Sequence, residues 1–139
     1  MQDGFYFDEL SEFRQDLLKE VNRVFPEETN KFLKYEAKSL SKIQKQIARQ
    51  DVGTTGKSGD KSYHKKFKVG KIYLYGDEKA IRAYNSSRHA HLVEYGYKTE
   101  NNKFVSGRYV LKSSENQFKE DFYKDTEGFL FKYFDDIGK

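Results

Sequence analysis

The chain has 139 residues, 36% hydrophobic and 35% charged, with a formal net charge of +4 and no cysteine. That length suits one domain with a modest core, and the missing cysteine excludes disulfides, thiolate catalysis and the usual zinc-finger ligand sets. No apolar run approaches the roughly 18 residues that span a bilayer, and Met1-Gln2-Asp3-Gly4-Phe5 lacks a basic-then-apolar leader, so a soluble chain made in a cytoplasm, without a membrane partner, is expected.

Aromatic residues make up 17%, as 12 Phe and 11 Tyr with no Trp. Phe and Tyr must therefore supply much of the buried area, and such a composition also suits a chain that buries faces against copies of itself. The charge is uneven. Residues 1–30 carry −5, residues 31–82 carry +9 and residues 83–139 are balanced. An acidic end and a basic middle can steer head-to-tail self-association, or let the middle face a polyanion.

In chain order, Asp8 or Ser11 can cap a first helix whose apolar side is Phe13, Leu17, Val21 and Val24 or Phe25. Pro26, the single proline, stops or kinks that helix and can open the next as its first residue. A second helix is predicted from about Pro26 to Arg49, with Leu33, Ala37, Leu40, Ile43 and Ile47 as its buried stripe. Lys31, Lys34, Lys38, Lys42, Lys45 and Arg49 line roughly the opposite side, over about 27 Å of helix. They form either a solvated face or a surface for nucleic acid or an acidic neighbour.

A polar loop follows at Gly53, Thr54, Thr55, Gly56, Lys57, Ser58 and Gly59, running to Lys61. Gly56-Lys57-Ser58 resembles the end of a phosphate loop, but the glycine needed five residues earlier is Asp51. Ser62–Val69, Lys71–Tyr75 and Ala80–Tyr84 read as strands, with Gly70 and Gly76-Asp77 as turns between them. Lys57, Lys61, Lys65, Lys66, Lys68 and Lys71 interleave with Tyr63, Phe67 and Tyr73. That pattern can contact phosphates and stack on bases, although the sheet's core needs the same aromatics.

Asn85 to Tyr97 reads as a short connector helix, capped by Ser86 or Ser87 and closed by Gly96. Leu92 and Tyr95 are expected to face the core, with His91 and Glu94 paired at its edge. A second polar loop is Lys98, Thr99, Glu100, Asn101, Asn102 and Lys103. Phe104–Leu111 adds a short strand or begins the last helix, expected over about Ser113 to Ile137. Phe118, Phe122, Phe129, Tyr133 and Ile137 mark its buried side, widened by Leu130 and Phe134, and Gly128 allows a bend. The fold class is α+β. Two N-terminal helices and a C-terminal helix pack on a small antiparallel sheet of three to four strands, with the short connector helix, in one domain. Residues 1–25 form an extension to a core at residues 26–139.

No constellation points to catalysis, a metal or a cofactor. His89 and His91 diverge on a helix, and His91 with Glu94 is an incomplete ligand set beside the distant His64. Asp77-Glu78-Lys79 is a fragment of a nuclease-like acid-and-lysine cluster without its separated acidic partners. A nucleophile with an activating base is also missing.

Ala90-His91-Leu92-Val93-Glu94-Tyr95-Gly96, following a basic stranded region and preceding a C-terminal helix, resembles the signature of the small minor tail-component or tail-completion proteins of long-tailed bacteriophages. By order of elements the resemblance covers roughly residues 30–137, and by motif about seven residues. Two departures are the missing proline in Phe104-Val105-Ser106-Gly107-Arg108-Tyr109 and the added helix before Pro26. The resemblance implies a structural subunit of a phage or phage-like tail, forming a closed homomeric ring, as a hexamer, at the neck or head–tail junction. Its partners would be copies of itself, a tail tube or sheath protein and neck or connector proteins, within a virion assembled in the bacterial cytoplasm. Residues 53–61 and 98–106 would reach a neighbouring subunit. The helix stripe or Lys65, Lys66 and Lys68 would face DNA passing through the lumen. The other reading is a stand-alone basic nucleic-acid-binding protein using residues 31–71.

Overall fold

The computed structural model describes residues 12–52, 63–75 and 78–137, with side chains over residues 16–52, 63–74 and 79–133. The Gly53–Gly59 loop, Lys61, the Gly76-Asp77 turn and the Asp8 or Ser11 cap lie outside the described residues, as do the side chains of Phe13, Phe134 and Ile137.

The fold is α+β. Helix α1 (Glu12–Val24) and helix α2 (Pro26–Asp51) are separated by Phe25 alone, with Pro26 opening α2. The proline lacks an N–H that the first helical turn could not have satisfied anyway, so it begins α2 at no cost in hydrogen bonding. The corner is held by Phe25 N–H donating to Val21 O at 2.7 Å, while Thr29 donates its amide and its hydroxyl to Phe25 O at 3.0 and 2.9 Å.

Helix α2 lies against α1, α4 (Val110–Ile137) and the stranded region, and its broadest contact is with α4. Leu33, Ala37, Leu40 and Ile47 are buried as expected, and Ile43 is half-buried. On α1 the inward residues are Leu18 and Val21, with Leu17 half-buried and Val24 exposed. That face is rotated from the expected one because α1 must serve α2 and α4 together. Leu18, Val21, Leu40, Ala83, Phe118, Phe122 and Leu130 form one cluster. Fully burying each of its larger aliphatic or aromatic side chains contributes about 1.5–3 kcal/mol. Helix α4 starts three residues before the expected Ser113 and runs through Gly128 without a break. Phe129 and Tyr133 are only half-buried, with Phe129 stacked on Phe32 of α2 at 4.4 Å between ring centres.

The strands pair as three two-stranded antiparallel ladders rather than as one sheet. Strand β1 (Phe67–Val69) pairs with β4 (Ala83–Asn85), and β2 (Tyr73–Tyr75) pairs with β3 (Glu78–Ala80). The two ladders are nested in one long ribbon that reverses between Tyr75 and Glu78. Gly70 is therefore not a reversal: its N–H donates to Arg82 O at 2.8 Å and carries the ribbon past the gap between ladders. The expected first strand is shorter than Ser62–Val69, because residues 63–65 form a single 3₁₀ turn that buries Tyr63 and His64. Tyr63 and Phe67 meet edge to face at 5.2 Å and pack with Ile47, Ala48, Val93 and Val110. Strands β5 (Gly96–Lys98) and β6 (Phe104–Ser106) form the third ladder, in register Gly96↔Ser106, Tyr97↔Val105 and Lys98↔Phe104. The Phe104–Leu111 segment thus supplies both a strand and the start of the last helix.

Candidate interaction site at the connector helix

The connector is helix α3 (Ala90–Tyr95). Six residues cannot hold a helix by themselves, so neighbouring groups must fix it. Asn85 Oδ1 accepts the Ser87 N–H at 2.9 Å, and Ser87 Oγ accepts the His89 N–H at 3.2 Å. Neither candidate serine caps the helix: the N-cap position is His89, without a side-chain capping bond, and Ser87 only orders the turn before it. Ser86 is tied back to the ribbon, its amide and hydroxyl both donating to Lys66 O.

The inward face differs from the expected one. Val93 and Glu94 are buried, Leu92 is half-buried, and His91 and Tyr95 are exposed. Glu94 does not pair with His91. Its Oε1 accepts the Leu111 N–H at 2.8 Å and its Oε2 accepts the Lys112 N–H at 3.2 Å. These amides belong to the first turn of α4, where no carbonyl inside the helix can reach them. A carboxylate there also meets the positive end of the helix dipole. The main chain adds two bonds, Arg108 N–H to Val93 O at 2.8 Å and Tyr109 N–H to Glu94 O at 3.2 Å. The end of α3 and the start of α4 are thereby spliced, and the β5–β6 hairpin is the excursion between them.

Two glycines make the splice possible. Gly96 has φ +87°, and a Cβ on it would lie 2.4 Å from Val105 O. A Cβ on Gly107 would lie 2.2 Å from Glu94 O. Any side chain at either position drives the backbones apart. Gly96 was legible as the close of the connector, whereas Gly107 carried no sequence signal beyond being a glycine.

The hairpin tip is tight. Thr99 N–H donates to Lys103 O at 2.8 Å, Asn102 N–H to Thr99 O at 3.0 Å, and Lys103 N–H to Thr99 Oγ1 at 3.2 Å. Asn102 takes φ +60°, a region that asparagine tolerates better than most residues. Lys98, Asn101, Asn102 and Lys103 are exposed and form a compact turn, not a long reach. Around its base stand the exposed aromatics Tyr95, Tyr97, Phe104 and Tyr109. Tyr95 and Tyr109 meet edge to face at 6.4 Å, with the Lys112 ammonium 5.9 Å from the Tyr109 ring centre. Beside them a cleft opens between the ribbon and α3, lined by Arg82, Tyr84, Asn85, His91 and Tyr95. Arg82 lies 5.5 Å over the Tyr84 ring.

The basic row on α2 is real as a surface. Lys31, Lys34, Lys38, Lys42 and Arg49 are exposed and Lys45 is half-buried, while Lys65, Lys66 and Lys68 are exposed on the ribbon side. Of the nuclease-like fragment, the Lys79 ammonium donates to Asn30 Oδ1 of α2 at 2.8 Å, while Asp77 and the Glu78 side chain lie outside the described residues. Among the described residues no group of three His, Asp or Glu side chains is arranged to hold a metal ion. Nor is any helix there long and apolar enough to cross a membrane.

Glu36 was missing from the residues expected to matter. It sits inside the apolar stripe of α2, 3% exposed, with the Asp125 carboxylate of α4 placed to accept a hydrogen bond from its protonated carboxyl. Burial pushes its carboxyl up to about 9, helped by the nearby carboxylates of Asp125 and Asp121 on α4. The signal was its spacing: Glu36 falls three residues after Leu33 and four before Leu40.

No family model, no curated protein and no solved structure matches this chain.

Proposed function

We propose that the chain is a structural subunit of a phage or phage-like tail, forming a closed homomeric ring at the neck or head–tail junction as a tail-completion or tail-terminator protein. The observation that carries this reading is the aromatic hairpin. Tyr97 and Phe104 stand on a hairpin locked to α3 and α4 through Gly96, Gly107 and Glu94, yet they are exposed and belong to none of the core clusters among the described residues. An ordered, exposed aromatic surface of this kind is suited to burial against a neighbour. A repeated head-to-tail contact closes into a ring when the rotation per subunit allows it, and a hexamer is the expected closure. The tail tube or sheath and the neck proteins are the expected neighbours above and below.

The test is negative-stain imaging and mass measurement of the protein with and without its tail. Rings capping the tail are expected, and Phe104→Ser should abolish them while leaving the helical content unchanged. Single copies that ignore the tail would overturn the reading.

The exposed basic row on α2 supports a second reading, a stand-alone nucleic-acid-binding protein. A titration with DNA at two salt concentrations separates the two. Tight binding by single copies with a steep loss in salt favours the second.

A further inference from the structure

The outer face of α2 carries more than a row of charges. Lys31, Lys34, Lys38, Lys42 and Arg49 are exposed along it, with Lys45 half-buried between them. The single acid between Lys31 and Gln50 is Glu36, which is buried on the other side of the helix, so the row shows solvent no carboxylate of its own. Within the row stands Tyr35, 65% exposed and the one exposed large apolar side chain of α2. At 3.6 residues per turn, it lies within about 60° of Lys31, Lys38 and Lys42 around the helix axis. It belongs to none of the core clusters among the described residues, so packing within the chain does not account for it.

We propose that this face binds a single-stranded polynucleotide, its phosphates on Lys31, Lys34, Lys38 and Lys42 and one base stacked on the Tyr35 ring, which rests on the second reading above and names the form of nucleic acid it takes. A single strand offers both things the face can use, a line of negative charge and uncovered base faces. A duplex offers the charge alone, because its base faces are stacked on one another. The contact uses phosphates and base faces, which DNA and RNA share, and it reads no sequence, because every base has a face to stack. An anion laid along the row also offsets the repulsion between like charges three and four residues apart on the helix.

Other occupants fit the same face less well. A helix that lies on a membrane surface needs a broad apolar side to sink into the lipid, and that side of α2, at Leu33, Ala37, Leu40 and Ile47, is buried within the fold. Protein interfaces favour tyrosine and arginine but are depleted in lysine, whereas four lysines surround Tyr35 here.

The experiment follows the fluorescence anisotropy of a labelled oligothymidylate, the matching oligouridylate and a DNA duplex across a salt series, with polyglutamate as a competing polyanion. Both single strands should bind alike and more tightly than the duplex. Tyr35→Ala should weaken single-strand binding about tenfold and duplex binding little, while Tyr35→Phe keeps the ring and should bind as wild type. Lys38→Gln should lower the slope of log affinity against log salt by about 0.7. A thermal melt should show each variant folded, since Tyr35 and Lys38 are exposed. A duplex held as tightly as the single strands, or Tyr35→Ala binding as tightly as wild type, overturns the inference and leaves the second reading standing. No binding of any of the three at low salt, or polyglutamate bound as tightly as they are, overturns the second reading and this inference with it.

Discussion

Replacing Glu36 by glutamine should stabilise an isolated copy, and more so the higher the pH. The native carboxyl titrates near 9 against an ordinary value of 4.5, chiefly because burial disfavours its charged form. The folded chain thus binds one proton more than the unfolded chain between those values, and wild-type stability falls as pH rises through that window. Each unit withdraws at most about 1.4 kcal/mol. Asp121 and Asp125 are exposed, and the water around them screens the effect. A loss of about 2 kcal/mol between about pH 5.5 and about pH 8 is therefore expected. Glu36→Gln keeps the shape, cannot ionise, and can donate its amide towards Asp125. Urea unfolding followed by circular dichroism at both pH values, at concentrations too low for association, measures the difference between the two proteins. Near-equality at the lower pH and a gap of about 2 kcal/mol at the higher are expected. A gap that does not widen with pH would refute the claim that this carboxyl is buried and neutral.

Glu94→Ala strands the Leu111 and Lys112 amides and should cost about 1–2 kcal/mol in urea unfolding, with faster hydrogen exchange at those two positions. Gly96→Ala and Gly107→Ala should each cost about 3 kcal/mol or more, read as a fall in melting temperature, since the added carbon meets backbone at 2.4 and 2.2 Å. Gly128→Ala meets nothing within 4 Å and should raise stability by about 0.5–1 kcal/mol.

The helices were legible because their signals are local. The stripe at Leu33, Ala37, Leu40 and Ile47 on α2, and Phe118 with Phe122 on α4, recur at helical spacing and are buried. The ribbon was less legible, since Gly70 and Gly76-Asp77 carry equal turn chemistry. The choice between them belongs to tertiary packing, where Phe67, Ile81 and Ala83 are buried. The role of Glu94 was hidden for a similar reason. A histidine three residues away is the local partner, but unsatisfied amides 17 and 18 residues downstream bind the carboxylate instead. Glu36 on α2 meets Asp121 and Asp125 on α4 in a way that spacing alone cannot show.

Among the described residues each strand has one hydrogen-bonded neighbour, and a flank left unpaired in this way can template further pairing. The flanks are three residues long, and β1, β3 and β5 carry Lys68, Lys79 and Lys98. Brevity and charge of this kind disfavour indefinite stacking, so copies that crowd together are steered towards contacts made by side chains and away from fibrils.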